Sequence, residues 1–276
     1  MIKISDKAVS IAGWLLLTSA LVVAVGFAEK AQHEIECAEL KVSIKNESDL
    51  QFVTKADILE LFSSKTSSVK GKAIAMLDIR NMEKKVMSNP HVRQAQVFTN
   101  VDGVITIEVE QRVPVLRVIN HGNEHFYVDT DGCFMPLGND FNSRVPVVSG
   151  YVFDGLDQRN LDFAVRHNAV DSIKPVLTQV FEVASFLRKD KFWDAFIEQI
   201  YVNQKNEIEL VPRVGNQIVL IGSSENLEEK LNNLMKFYKE GAGRTGWDTY
   251  STINLKFKGQ VVCTKSEIKP IITANP

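Results

Sequence analysis

Twenty-one consecutive residues without a charge, Ala8 to Ala28 (AVSIAGWLLLTSALVVAVGFA), set the first constraint on this chain. At about 1.5 Å per residue, a helix of that length spans the roughly 30 Å hydrocarbon core of a bilayer. Lys3, Lys7 and the α-amino group precede the run, against one Asp6. Glu29, Glu34, Glu36 and Glu39 follow it, with Lys30. The positive flank is expected to stay in the cytoplasm, which puts the rest of the chain outside. Gly26-Phe27-Ala28 offers small residues at signal-cleavage positions. However, the run is longer than the roughly 7–15 residues of a signal h-region, which favours an uncleaved anchor. The expected order is a cytoplasmic tail over residues 1–7, a single transmembrane helix over 8–28 and a polar linker over 29–36.

The remainder has the balance of a globular protein. The 276 residues are 45% hydrophobic and 24% charged, with net charge −2. That balance argues against a nucleic-acid partner, which calls for a basic face or run. Cys37, Cys133 and Cys263 are odd in number and far apart, and no C-x-x-C occurs, so neither a disulfide framework nor a thiolate metal site is expected.

Residues 37–112 read as a compact α+β module of order β-α-α-β-β. Leu40, Val42 and Ile44 alternate with polar residues, as in a half-buried strand. Thr54 with Asp57 forms a capping box ahead of Ile58, Leu59, Leu61 and Phe62. Asp78 is expected to cap a second helix carrying Ile79, Met82 and Val86, stopped by Asn89-Pro90. Val92–Thr99 and Val104–Gln111 read as strands joined at the turn signal Asp102-Gly103.

Beyond Arg112-Val113-Pro114, residues 113–265 read as a β-rich domain. Short strands are expected at Val115–Asn120, His125–Asp129, Val145–Ser149, Ile197–Val202, Glu207–Val211 and Gln217–Ile221. Gly122-Asn123, Asp131-Gly132, Lys205-Asn206 and Gly215-Asn216 supply turns. Two helices are expected: Ser172–Arg188, with Pro175 in its first turn, and Glu225–Lys239, capped by Ser224. Ser251–Lys265 reads as a strand pair or one bent strand, and 266–276 as a patternless tail. The fold class is therefore α+β, following one membrane helix.

No catalytic apparatus is visible. His121-Gly-Asn-Glu124-His125 matches the H-x-x-E-H zinc-protease pattern, but that chemistry needs a helix, and Gly122-Asn123 between two strands forms a turn. Asp129-Thr-Asp131-Gly132 lacks the further ligands of a calcium loop and also reads as a turn. Cys133 and Cys263 are expected to be small buried hydrophobes, and Phe192, Trp193 and Phe196 to be core. No metal site, cofactor, small-molecule substrate or enzymatic activity is expected.

Taken together, these segments resemble the FtsQ/DivIB family of bacterial cell-division proteins. The first module is similar to a POTRA domain, with Asn89, Pro90, Val92, Ala95 and Val97 followed by Gln111, Arg112, Pro114 and Val115 as the matching positions. FYVDTDGCFMPL, RVPVVSG and YSTINLKFKGQVVCTK resemble stretches of the family's β domain. Its richness in Lys, Asn and Ile suggests a Bacteroidetes-type member. The resemblance implies a non-enzymatic, bitopic inner-membrane protein of the divisome, located at the septum, that helps control septal peptidoglycan synthesis. It implies partners of the small coiled-coil FtsB/FtsL (DivIC) type, bound at the C-terminal strand, and other division membrane proteins recruited by the POTRA module. The C-terminal candidates are Phe257, Gly259, Val261, Val262 and Thr264; those of the POTRA surface are Gln94, Val97 and Thr99. The alternatives are a POTRA-containing envelope assembly or secretion factor, which normally shows several POTRA repeats or a barrel, and a membrane-anchored metallopeptidase.

The last strand, taken as Gly259–Lys265, is expected at a sheet edge with one row of backbone groups open to strand addition. The topology is testable on the whole chain. A reporter fused after Pro276 is expected to be active only outside the cytoplasm, and purified protein to retain Met1–Lys7. A mature N-terminus at Glu29 would replace the anchor with a signal peptide.

Overall fold

The computed structural model describes residues 14–23, 35–46, 49–63, 69–100, 102–138, 141–158, 161, 174–242, 246–247 and 249–266. The chain divides between Gln111 and Arg112 into two compact units. Of the expected membrane span, residues 14–23 are helical and expose Trp14, Leu15, Leu16 and Leu17. Residues 8–13 and 24–28 lie outside the described residues, as do the linker up to residue 34 and the tail from 267. Among the described residues, no helix is long and apolar enough to cross a membrane.

The first unit is built as β1 (Glu39–Lys45), α1 (Lys55–Leu61), α2 (Ile79–Met87), β2 (Val92–Thr99) and β3 (Val104–Gln111). Its three-stranded sheet has the order β1-β3-β2, with β1 parallel and β2 antiparallel to the central β3. Both expected caps are made. Thr54 Oγ1 accepts from Asp57 N while Asp57 Oδ2 accepts from Thr54 N, and Asp78 Oδ1 accepts from Asn81 N. Ile105, Ile107 and Val109 of β3 are fully buried, with Ile58, Met82 and Val86 of the helices also in the core.

Gln111 closes this unit. It is fully buried; its Nε2 donates to Leu50 O at 2.8 Å, and its Oε1 accepts from Val53 N at 3.0 Å. The amide thereby satisfies a donor and an acceptor on the segment leading into α1, groups that would otherwise be buried without partners.

The second unit is a nine-stranded sheet. Its strands are β4 (Pro114–Ile119), β5 (His125–Asp129), β6 (Phe134–Pro136), β7 (Val147–Gly150), β8 (Ile197–Val202), β9 (Ile208–Pro212), β10 (Ile218–Gly222), β11 (Tyr250–Asn254) and β12 (Val262–Lys265). Their spatial order is β12-β11-β10-β9-β8-β7-β4-β5-β6. Among the described residues three α-helices accompany it: α3 (Val176–Leu187), α4 (Lys191–Phe196) and α5 (Leu227–Phe237). Leu177, Val180, Ala184 and Leu187 of α3, and Leu231 and Leu234 of α5, share one core with Val118, Val128, Val148, Ile200, Leu210 and Val219 of the sheet.

Several expectations need correction. Pro175 sits at the N-cap of α3 rather than in its first turn, and Ser172 lies outside the described residues. Ser224 does not cap α5: its hydroxyl donates to Glu182 Oε2 at 2.7 Å, and left-handed Asn226 occupies the N-cap. β7 begins at Val147, not Val145, because Pro146 has no N–H to give the ladder. Helix α4, capped by Asp190 Oδ1 accepting from Phe192 N and Trp193 N, and strand β6 were not expected. Trp193 and Phe196 are buried as expected, but Phe192 is exposed.

Replacing Gln111 by Ala strands two buried backbone groups at about 1–3 kcal/mol each, so Gln111→Ala is expected to lose about 2–6 kcal/mol. Denaturant unfolding of the full chain followed by circular dichroism reads this; Gln111→Ala with an unchanged midpoint would contradict it.

Candidate functional site

The catalytic-looking motifs turn out to be hairpin geometry. At Asn120–Glu124 the backbone N–H of Asn120 donates to Glu124 O, that of Asn123 donates to Asn120 O, and Asn120 Oδ1 accepts from Glu124 N. Asn123 has φ +60°. The same three bonds recur at Asp129–Cys133, with Gly132 at φ +79°, and at Asn203–Glu207, with Asn206 at φ +57°. Each is a type I turn followed by a left-handed bulge residue.

His121 and His125 are thus displayed by a turn, not by a helix face. His121 stacks on Tyr151 at 5.4 Å and lies 5.0 Å from the Phe153 ring. His125 Nδ1 is 3.2 Å from Arg117 Nη2, with the ring's other nitrogen 3.4 Å from Asn123 Oδ1. Among the described residues, no group of three or more His, Cys, Asp or Glu could hold a metal ion.

Asp129, at the would-be calcium loop, is fully buried. Its Oδ1 accepts from Asp131 N and Cys133 N, and its Oδ2 accepts from Arg112 Nη1 at 2.7 Å. Burial pushes the Arg112 guanidinium pKa down, but the hydrogen bond and charge of Asp129 outweigh it and leave the pKa raised. Burial pushes the thiols of Cys37, Cys133 and Cys263 up, away from the thiolate a nucleophile needs.

The remaining candidates lie on sheet edges. β12 is the terminal strand of the nine-stranded sheet, antiparallel to β11 from Asn254↔Val262 to Tyr250↔Lys265. It begins at Val262, three residues later than expected. Gly259 stands in the preceding turn at φ +68°, where Gln260 N donates to Phe257 O. A Cβ there would meet nothing within 4 Å, so within this chain the glycine serves the backbone angle rather than a close approach. Phe257 is 52% exposed and Val262 44%. Thr264 is also exposed, whereas Val261 and Cys263 turn toward the core. The face presented at this edge is therefore Val262 and Thr264, with Phe257 at its start and Val261 beneath it.

In the first unit, β2 is an edge strand. Gln94 and Thr99 are exposed, but Val97 is only 7% exposed and belongs to the core. Even the Val97 N–H is taken, donating to Glu83 Oε1 of α2 at 3.0 Å.

Two family models match the chain: a POTRA-like domain over residues 35–110, and a model described as FtsQ/DivIB, C-terminal related, over 113–264. The chain belongs to the FtsQ/DivIB family. Among its relatives is "Cell division protein FtsQ" of Rhodothermus marinus, 26% identical over 196 residues, which cover 70% of this chain and 67% of the relative. Another is "Cell division protein DivIB" of Clostridium tetani, 27% identical over 210 residues, covering 68% and 67%. The FtsQ/DivIB match and the POTRA-like match meet at the Gln111-Arg112 step, where the two units divide.

The β11–β12 connection is tied to the β8–β9 turn by Lys256 Nζ and Glu207 Oε1, 2.7 Å apart. The Lys256 hydrogen bond holds the Glu207 carboxyl below its usual range. A depressed carboxylate adds stability above its unfolded pKa and loses it as pH falls through the folded one. Glu207→Gln is therefore expected to lower stability at neutral pH, by under about 1 kcal/mol for so exposed a pair, and to match the parent in acid. Melting curves across pH check this; a deficit that persists in acid would assign the loss to something other than charge.

Proposed function

We propose that this chain acts in bacterial cell division as a non-enzymatic scaffold. On this reading the run Ala8–Ala28 anchors it once in the cytoplasmic membrane, and both folded units work outside the cytoplasm at the division septum. The names of its relatives support the division role. The charge asymmetry around the run supports the orientation.

The observation that carries the scaffold reading is β12. An edge strand offers a row of backbone groups that a second chain can pair with, and side chains on one face can then choose the partner. Val262 and Thr264 supply that face, and Phe257 an apolar anchor where the added strand begins. Lys258 and Lys265 bracket the edge; they oppose pairing between identical chains and suit an acidic segment. The partner read here is a small bitopic coiled-coil division protein of the FtsB/FtsL (DivIC) type. Gln94 and Thr99 on β2 form a second, recruiting surface toward other division membrane proteins, and through them the chain helps control septal peptidoglycan synthesis.

Val262→Pro removes an N–H and fixes φ within β12, and truncation after Lys258 removes the strand. Either change is expected to abolish capture of the coiled-coil partner by full-length protein in detergent. Membrane insertion and the folding of the POTRA-like unit are expected to survive. Capture at full yield by the truncated protein would eliminate β12 as the site.

A further inference from the structure

The second unit contains a cleft of about 420 Å³ on the opposite side of β9 and β10 from β12 in the strand order. It exists because two parallel strands splay. The β7–β8 register begins only at Val147↔Gln199, although β8 itself starts at Ile197. Pro146 has no N–H for β8, and its carbonyl accepts from Arg117 N of β4 at 3.0 Å. The chain before β7 is therefore held to the β4 side, and β8 is left bordering open space. A register shift between Ile197 and Gln199 against β9 widens the irregularity.

The lining has a distinct chemistry. Pro146, Val147 and Ile197 give an apolar floor, with Pro146 and Ile197 buried. The rim carries two cations and two anions. Arg213 and Glu198 form one loose exposed pair at 3.9 Å. Arg144 and Asp194 line the same cleft and are both exposed. Among the described residues, neither side chain makes a hydrogen bond or ion pair, and they do not reach each other within 4.0 Å.

We propose that this cleft binds a short peptide with free ends, its carboxylate on Arg144 and its ammonium on Asp194. The volume falls within the roughly 300–1,000 Å³ of small-ligand pockets. Opposite charges facing a shared space without bridging it leave their hydrogen-bonding capacity to a ligand carrying both complements. A guanidinium suits a carboxylate through paired N–H donors, and a carboxylate accepts from an ammonium. A volume of about 420 Å³ has room for a peptide of two or three small residues. This site is independent of the strand-addition reading of β12.

Trialanine is the probe, measured by equilibrium dialysis against full-length protein in detergent micelles. Saturable binding at one site is expected. A contact to an exposed charge is worth up to about 1 kcal/mol, so trialanine amide and N-acetyl-trialanine are each expected to bind about two- to fivefold more weakly. Arg144→Gln is expected to weaken trialanine comparably and to stop distinguishing it from the amide. Asp194→Asn is expected to stop distinguishing it from the acetylated form. Since neither side chain has a partner among the described residues, both variants are expected to keep the parent's melting temperature. Absence of saturable binding at millimolar peptide, or binding unchanged in both variants, would overturn the proposal.

Discussion

The Asp129 carboxylate is the contact on which the second unit is registered. It is fully buried, which is tolerable for a charge only when every oxygen is used. One oxygen binds the turn that returns β5 to β6, and the other binds Arg112, two residues ahead of the start of β4. Pro114 then lies opposite Asp129 across the β4–β5 ladder. The pair therefore fixes where the first strand of a nine-stranded sheet begins, and a one-residue slip would turn Val118 and Leu116 off their faces. Gln111, one residue earlier, is tied just as firmly into the first unit. Two adjacent polar side chains thus anchor the chain into two different units. That is a physical reason for a Gln-Arg step between them.

The same turn is used repeatedly. Asn100–Val104 in the first unit shares the backbone bonds of the three Asx-led turns of the second, with Gly103 at φ +79°. In each, an Asn or Asp opens the turn and a Gly or Asn stands three residues later, where φ must be positive. An Asx side chain can satisfy the exposed N–H of the returning strand, and Gly or Asn tolerates the left-handed angle. Sequence reading finds the second half of this signal in Asp102-Gly103, Gly122-Asn123, Asp131-Gly132 and Lys205-Asn206. The leading Asn or Asp is equally present in the sequence, but its role appears only once the two strands are seen to pair.

Local signals were legible wherever the bonding is local. Thr54 with Asp57 and Asp78 with Asn81 act over three residues, and both caps form as their spacing implies. Ser224 sits just before an amphipathic helix and looks like a cap, yet Glu182, distant in sequence, takes its hydroxyl. Strand β6 has only three residues and no period to detect. Alternation was readable along β2 and the last strand, but which alternate faced inward was not. Val97 accordingly falls on the core side of β2, and Val261, just ahead of β12, packs against the core, although both are surface candidates by sequence.

Edges decide what such a fold can recruit. A sheet end must be shortened, charged, capped or given a partner, because its unpaired amides otherwise invite any strand. β6 is short and ends in Pro136, which has no N–H to offer. β2 surrenders the Val97 N–H to Glu83. β1 carries Glu39, Lys41, Ser43 and Lys45 on alternate positions, so an apolar strand gains little by lying beside it. β12 differs in placing Val262 and Thr264 outward on an antiparallel register that is continuous from Val262 to Thr264 and shifts only between Tyr250 and Thr252 of β11, with lysine at its end and in the turn before it. Those lysines oppose a second copy of the same strand while leaving an acidic strand unopposed. Of the four edges among the described residues, β12 is the one whose protection is selective rather than general, and selective protection is what the proposed recruiting surface would require.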